Sequence, residues 1–90
     1  MCWMSVLKHR ERLGGISKAT FAAYLSSGNC FDGWLRSKHR LSFDEVIDGN
    51  SFRASQLVAE YASDYLGSGC ESTLKHLKAI FRLCGRPLLS

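Results

Sequence analysis

Ninety residues, 46% hydrophobic and 11% aromatic, can bury a thin but real core, which excludes a disordered tail or a polar low-complexity linker. A single proline and few alternating runs of Val, Ile or Thr argue against a sheet and for an all-α chain. The formal charge of +4 leaves an anionic partner open, whereas no apolar run reaches the length of a membrane span, and the opening MCWMSVLKHRER has its charges after its apolar residues, unlike a secretory signal.

Trp3, Val6, Leu7 and Arg10 set a helical step that Gly14 and Gly15 end, predicting a first helix of about ten residues that needs packing to persist. Ser17 is placed to cap a second helix. Phe21, Tyr24, Leu25, Gly28, Phe31, Trp34 and Leu35 keep a step of three or four, which predicts one helix from Lys18 to about Ser37. Gly28 is its weak point, costing about 1 kcal/mol against Ala; either a neighbour packs closely on it or the helix divides there.

Arg36 to Ser42 reads as a basic connector. Ser42, with Asp44 and Glu45 behind it, caps a short helix ending near Gly49. Asn50 or Ser51 opens the next helix, whose buried stripe is Leu57, Val58, Tyr61, Ala62 and Tyr65 and which Gly67, Ser68 and Gly69 stop. The last helix runs from about Glu71 to Cys84, with Gly85 as its C-terminal cap and Pro87 barring continuation. The expected architecture is a compact all-α array of four to five helices with short connections, in which 1–14 is an N-terminal helix or extension and 17–87 the bundle.

The chemistry-bearing residues point away from catalysis. Cys2, Cys30, Cys70 and Cys84 form no Cys-x-x-Cys pair and have no histidine at zinc-finger spacing. No metal or cofactor is therefore expected, the chain reads as reduced and intracellular, and Cys70 and Cys84, too far apart on one helix to bond each other, read as small core residues. His9, His39 and His76 are scattered, and His76 reads as a surface or flank residue. Asp44, Glu45 and Asp48 are explained as acids at a helix start, and the glycines at 67 and 69 follow a helix, unlike a phosphate loop, which follows a strand. No catalytic residue is assigned.

Charge is segregated along the chain: residues 1–40 sum to +5, residues 41–74 to −5 and residues 75–90 to +4. In the last helix Lys75, Lys78 and Arg82, continued by Arg86, form a face apart from the apolar stripe of Leu74, Leu77, Ile80, Phe81 and Cys84. Only Glu71 stands at ion-pair spacing to it, so the face lacks the lacing of an ordinary solvated helix and suits a polyanion. Basic residues also favour helix C-termini and cover apolar surface with their stems, which is the competing explanation. Arg36, Lys38 and Arg40 add a second basic cluster; beside the last helix it would complete one phosphate-binding surface.

The order Thr20–Tyr24, Phe31–Trp34–Leu35, an acidic stretch, Val58–Tyr61–Tyr65–Leu66, a glycine-rich turn, and Ser72–Thr73–Leu74–Leu77–Ala79–Ile80 closing at Gly85 and Pro87 resembles the N-terminal core-binding domain of tyrosine recombinases and phage-type integrases. The resemblance covers roughly residues 17 to 87. It implies a four- or five-helix unit forming half of a clamp on duplex DNA, with Ser72, Thr73, Lys75, Lys78 and Arg82 of the last helix and Arg36 to Arg40 facing the duplex. It also implies that Phe31, Trp34, Leu57, Tyr61, Leu74, Leu77 and Ile80 are core. The family's catalysis belongs to a separate C-terminal domain that nothing after Pro87 could hold, so the chain is expected to bind without reacting, with Tyr24, Tyr61 and Tyr65 as packing residues. The leading thirteen residues have no counterpart in the pattern.

Two other readings remain. Leu57 to Ile80 also looks like a helix-turn-helix whose second helix reads the major groove, directing the same side chains at DNA. Alternatively, the opposed charge blocks pair with a protein partner or with a second copy of the chain.

Overall fold

The computed structural model describes residues 2–66 and 71–88. Five α-helices occupy them: α1 (Trp3–Arg12), α2 (Lys18–Lys38), α3 (Phe43–Asp48), α4 (Ser51–Tyr61) and α5 (Glu71–Leu83), with a π-helical turn at Ala62–Leu66 continuing α4. No strand occurs among the described residues. The all-α expectation holds, and the α1 segment without a counterpart in the recombinase pattern is a full member of the core.

The caps explain most boundaries. Ser17, Ser42 and Asn50 each accept a hydrogen bond from a first-turn backbone N–H of α2, α3 and α4 respectively, satisfying donors that the helix itself leaves orphaned. At the end of α5, Gly85 takes a left-handed φ of 76°. Its N–H donates to the Arg82 carbonyl at 3.0 Å and the Arg86 N–H to the Phe81 carbonyl at 2.9 Å, the paired bonds of a Schellman cap. The expected stop of the fourth helix at 67–69, Cys70 and the side chain of Tyr65 lie outside the described residues.

One boundary differs from expectation. The second helix runs to Lys38, so Arg36 and Lys38 stand on its last turn and only residues 39–42 connect. Arg40 makes the turn by adopting a φ of 55°, after which the Leu41 N–H reaches the Leu35 carbonyl at 3.3 Å. No glycine announces this helix end, which is why the sequence alone starts the connector too early.

α2 is the axis of the packing, touching α1, α3 and α5. Every helix sends an aromatic ring into one cluster: Trp3 from α1, Phe31 and Trp34 from α2, Phe43 from α3, Tyr61 from α4 and Phe81 from α5. Phe43 meets Trp3 at 5.0 Å, Phe31 at 5.1 Å and Phe81 at 5.4 Å between centroids, and Phe31 meets Tyr61 at 5.0 Å. Tilted and edge-on geometries of this kind add about 0.5–1.5 kcal/mol per pair beyond the area buried. Leu7, Leu35, Ile47, Leu57, Leu77 and Ile80 fill the gaps, and the expected core residue Leu74 is half-buried at its margin.

Gly28 does not divide α2. The Trp3 indole lies so close that a Cβ at residue 28 would come within 2.4 Å of its ring carbons, an approach no side chain tolerates. The glycine is the floor on which α1 docks.

The cysteines do not share one environment. Cys84 is buried, as expected, whereas Cys2 and Cys30 are exposed. Cys2 precedes the first turn of α1, and Cys30 sits on α2 next to Phe31 but on the solvent side. Burial, helped by Asp44 and Asp48, pushes the Cys84 thiol up to about 11, whereas hydrogen bonding from Ser5 holds Cys2 below its ordinary value.

Two measurements check this packing. Gly28→Ala, normally worth about 1 kcal/mol of added helix stability, here destabilises by about 1–3 kcal/mol through overpacking against Trp3, read as a lowered urea midpoint; an unchanged or raised midpoint refutes the contact. At pH 8, iodoacetamide modifies Cys2 readily and spares Cys84 until the chain unfolds, as peptide mass mapping would record. The Cys84 thiol ionises in the unfolded chain at its ordinary 9.0 and in the folded one near 11, so its contribution to stability falls as pH rises through that window.

Candidate nucleic-acid interface

α5 exists because Leu77, Ile80 and Phe81 recur at helical spacing and are fully buried. At 100° per residue, Lys75, Lys78 and Arg82 then fall within an arc of about 60° on the opposite side, spread along roughly 10 Å of axis. All three are exposed, as are Ser72 and, just past the Schellman cap, Arg86; Thr73 is half-buried. Among the described residues, no ion pair involves Lys75, Lys78, Arg82 or Arg86.

The ion pairs that are formed lie elsewhere. Arg36 Nε contacts Asp32 Oδ2 at 2.8 Å, Lys38 Nζ contacts Asp64 Oδ2 at 2.8 Å, and His39 Nε2 contacts Glu60 Oε2 at 2.6 Å. Their carboxylates raise the pKa of Arg36 and of Lys38 above the ordinary values. Both cations are solvent-exposed, so solvent screens these pairs and they add little to stability.

Carboxylates also hold helix starts. Asp44 Oδ1 accepts the Trp3 N–H of α1 at 2.8 Å, and Asp32 Oδ1 accepts the Phe43 N–H of α3 at 2.8 Å. Glu45 receives a bond from the Ser42 hydroxyl at 3.2 Å. The acids expected to serve only their own helix start thus reach across: Asp44 sits in the first turn of α3 but caps α1.

α5 packs along α2, with His76 sharing a hydrogen bond with Ser27, but the second basic cluster is not bare as the α5 row is. Arg36 and Lys38 instead pair with Asp32 and Asp64, and Arg40 is exposed on its left-handed turn.

His76 stands half-buried at the flank of α5, where it has partners. Its Nδ1 is 2.8 Å from Ser27 Oγ and its ring centroid 5.2 Å from that of Tyr24. The ring also lines a cleft of about 460 Å³ between α2 and α5, together with Thr20, Tyr24, Ser72 and Lys75. Sequence reasoning does not place Thr20 or His76 at a site. The faint signal is Ala19 and Ala23 at i, i+4 next to Thr20 and Tyr24, a strip too small to fill the space beside a neighbouring helix.

Among the described residues, no group of three or more His, Cys, Asp or Glu side chains is arranged to hold a metal ion, and no helix is long and apolar enough to cross a membrane. Comparisons with protein-family models, with curated proteins and with solved structures give no match.

The left-handed turn yields an outcome of its own. A non-glycine residue there costs about 1–3 kcal/mol, so Arg40→Gly raises the urea-unfolding free energy by roughly 1 kcal/mol while removing one positive charge. A drop in stability would show that the Arg40 side chain supports the turn.

Proposed function

We propose that this chain is a duplex-DNA-binding helical module that acts through the exposed face of α5 and carries no catalysis of its own. The observation supporting this most directly is the bare cationic row, Lys75, Lys78 and Arg82 with Arg86 beyond the cap, on a molecule whose carboxylates Asp32, Asp44, Glu60 and Asp64 are engaged elsewhere. A row folded back on those acids would have served internal stability; left bare, it repels itself at close range and gains from meeting phosphates. Arg36 and Lys38 join it with charges already partly answered, and Arg40 with one that is not.

The finer assignment, a core-binding domain of tyrosine-recombinase type, is supported by motif order alone. In it Ser72 and Thr73 make groove contacts, and a catalytic domain on another segment or chain supplies the chemistry. Duplex DNA as partner fits an intracellular setting. Reading α4 and α5 as a helix-turn-helix directs the same α5 side chains at the same partner.

Fluorescence anisotropy with mixed-sequence duplexes at several salt concentrations tests the reading. Binding weakens steeply with salt, and the combined Lys75→Gln, Lys78→Gln and Arg82→Gln variant flattens the log–log slope by two to three units, about 0.9 for each phosphate no longer neutralised. Lys38→Gln changes the slope less, because Asp64 already offsets its charge. Salt-insensitive binding, or wild-type binding by the triple variant, defeats the proposal, and self-association in sedimentation without duplex binding turns the choice to the protein-interaction alternative.

A further inference from the structure

The α2–α5 cleft differs in its polar lining from the two other clefts near the connector. The cleft around His39 and Arg53 includes Glu45, and the one around Lys38 includes Asp64. No carboxylate lines the cleft of Thr20, Ser72, Lys75 and His76. Ala19 and Ala23 keep its α2 wall low, and Lys75 supplies a compact, mobile positive charge at its edge.

The hydrogen bonding gives this lining a direction. Ser27 Oγ occupies His76 Nδ1. In the tautomer whose Nδ1 accepts the Ser27 hydroxyl proton, Nε2 is left as a donor, and it has no hydrogen-bond partner among the described residues. The tilted Tyr24 ring holds the imidazole plane. Thr20 Oγ1 accepts from Ser17 Oγ at 3.0 Å at the α2 edge of the same space. Ser72 is exposed on the first turn of α5 and hydrogen-bonds no described group. Several donors and one cation around a space free of carboxylates suit a tetrahedral oxyanion, which accepts on several oxygens at once.

We propose that the α2–α5 cleft seats one phosphate group of the duplex backbone, held by the Lys75 ammonium and by neutral donors from Ser72 and His76. This rests on the duplex-binding reading above and extends the interface from α5 onto the first turns of α2. It separates two kinds of contact. Lys75 displaces a counterion and therefore sets salt dependence, whereas Ser72 and His76 displace none and contribute affinity at constant salt dependence.

The test uses the full chain with a mixed-sequence duplex at several salt concentrations, and with inorganic phosphate at constant ionic strength followed by imidazole ¹⁵N NMR. His76→Phe, which keeps a ring against Tyr24, and Ser72→Ala, an exposed change, each weaken duplex binding roughly tenfold at fixed salt with the salt slope unchanged. Lys75→Gln flattens the slope by about one unit, and circular-dichroism melts confirm that the variants fold. Wild-type affinity in both His76→Phe and Ser72→Ala, alongside weakened binding by the triple variant of the α5 row, overturns the cleft and leaves the duplex reading standing. If the wild-type chain binds no duplex, that reading falls and inorganic phosphate decides the cleft. A saturable shift of the His76 Nε2 resonance, abolished in Ser72→Ala, keeps it as a seat for phosphate from another source; no shift overturns it.

Discussion

Phe43 is the contact on which the arrangement depends. It is fully buried and its ring meets Trp3, Phe31 and Phe81, so a residue on the shortest helix ties α1, α2 and α5 together. A six-residue helix has little stability alone. Asp32 and Ser42 fix its start from two directions, which holds the ring where the larger elements pack on it. Since α5 rests its Phe81 on this ring, the orientation of the cationic row follows from the same contact.

The distribution of charge has the same origin. A carboxylate that accepts a backbone N–H at a neighbouring helix start is worth more, and is less free to move, than one paired with a long exposed side chain. Asp32 and Asp44 are in that position, whereas Asp64 and Glu60 answer the end of α2. Much of the acidic charge is therefore occupied by the fold itself. Positive charge without an ion pair among the described residues is left on α5 and at Arg40, and also on Lys8, Arg10, Arg12, Lys18 and Arg53, within a net charge of only +4.

Local rules read the sequence well wherever the deciding contact is local. Ser17, Ser42 and Asn50 act within three residues of themselves, Gly85 within four, and the α5 stripe within its own helix; each is legible. Contacts between distant segments are not. That Gly28 carries Trp3, that Asp44 reaches α1 and that His76 finds Ser27, 49 residues away, depends on how helices are placed, and no spacing along the chain encodes it. Arg40 is hidden for a different reason: the left-handed turn it adopts is ordinarily marked by glycine, and a charged residue gives no such sign. For the candidate site, the α5 cations are legible from periodicity, but the α2 wall of the cleft is not.

The π-helical turn after α4 has a consequence for how this chain tolerates changes of length. A π turn accommodates one residue more than an α turn, so Ala62–Leu66 behaves as a built-in insertion that leaves Tyr61 in place upstream. Deleting that extra residue would restore regular winding and swing Asp64 about a quarter of the way around the axis, away from Lys38. Sequence drift by single insertions or deletions in this segment would then act as a dial on the net charge at the end of α2.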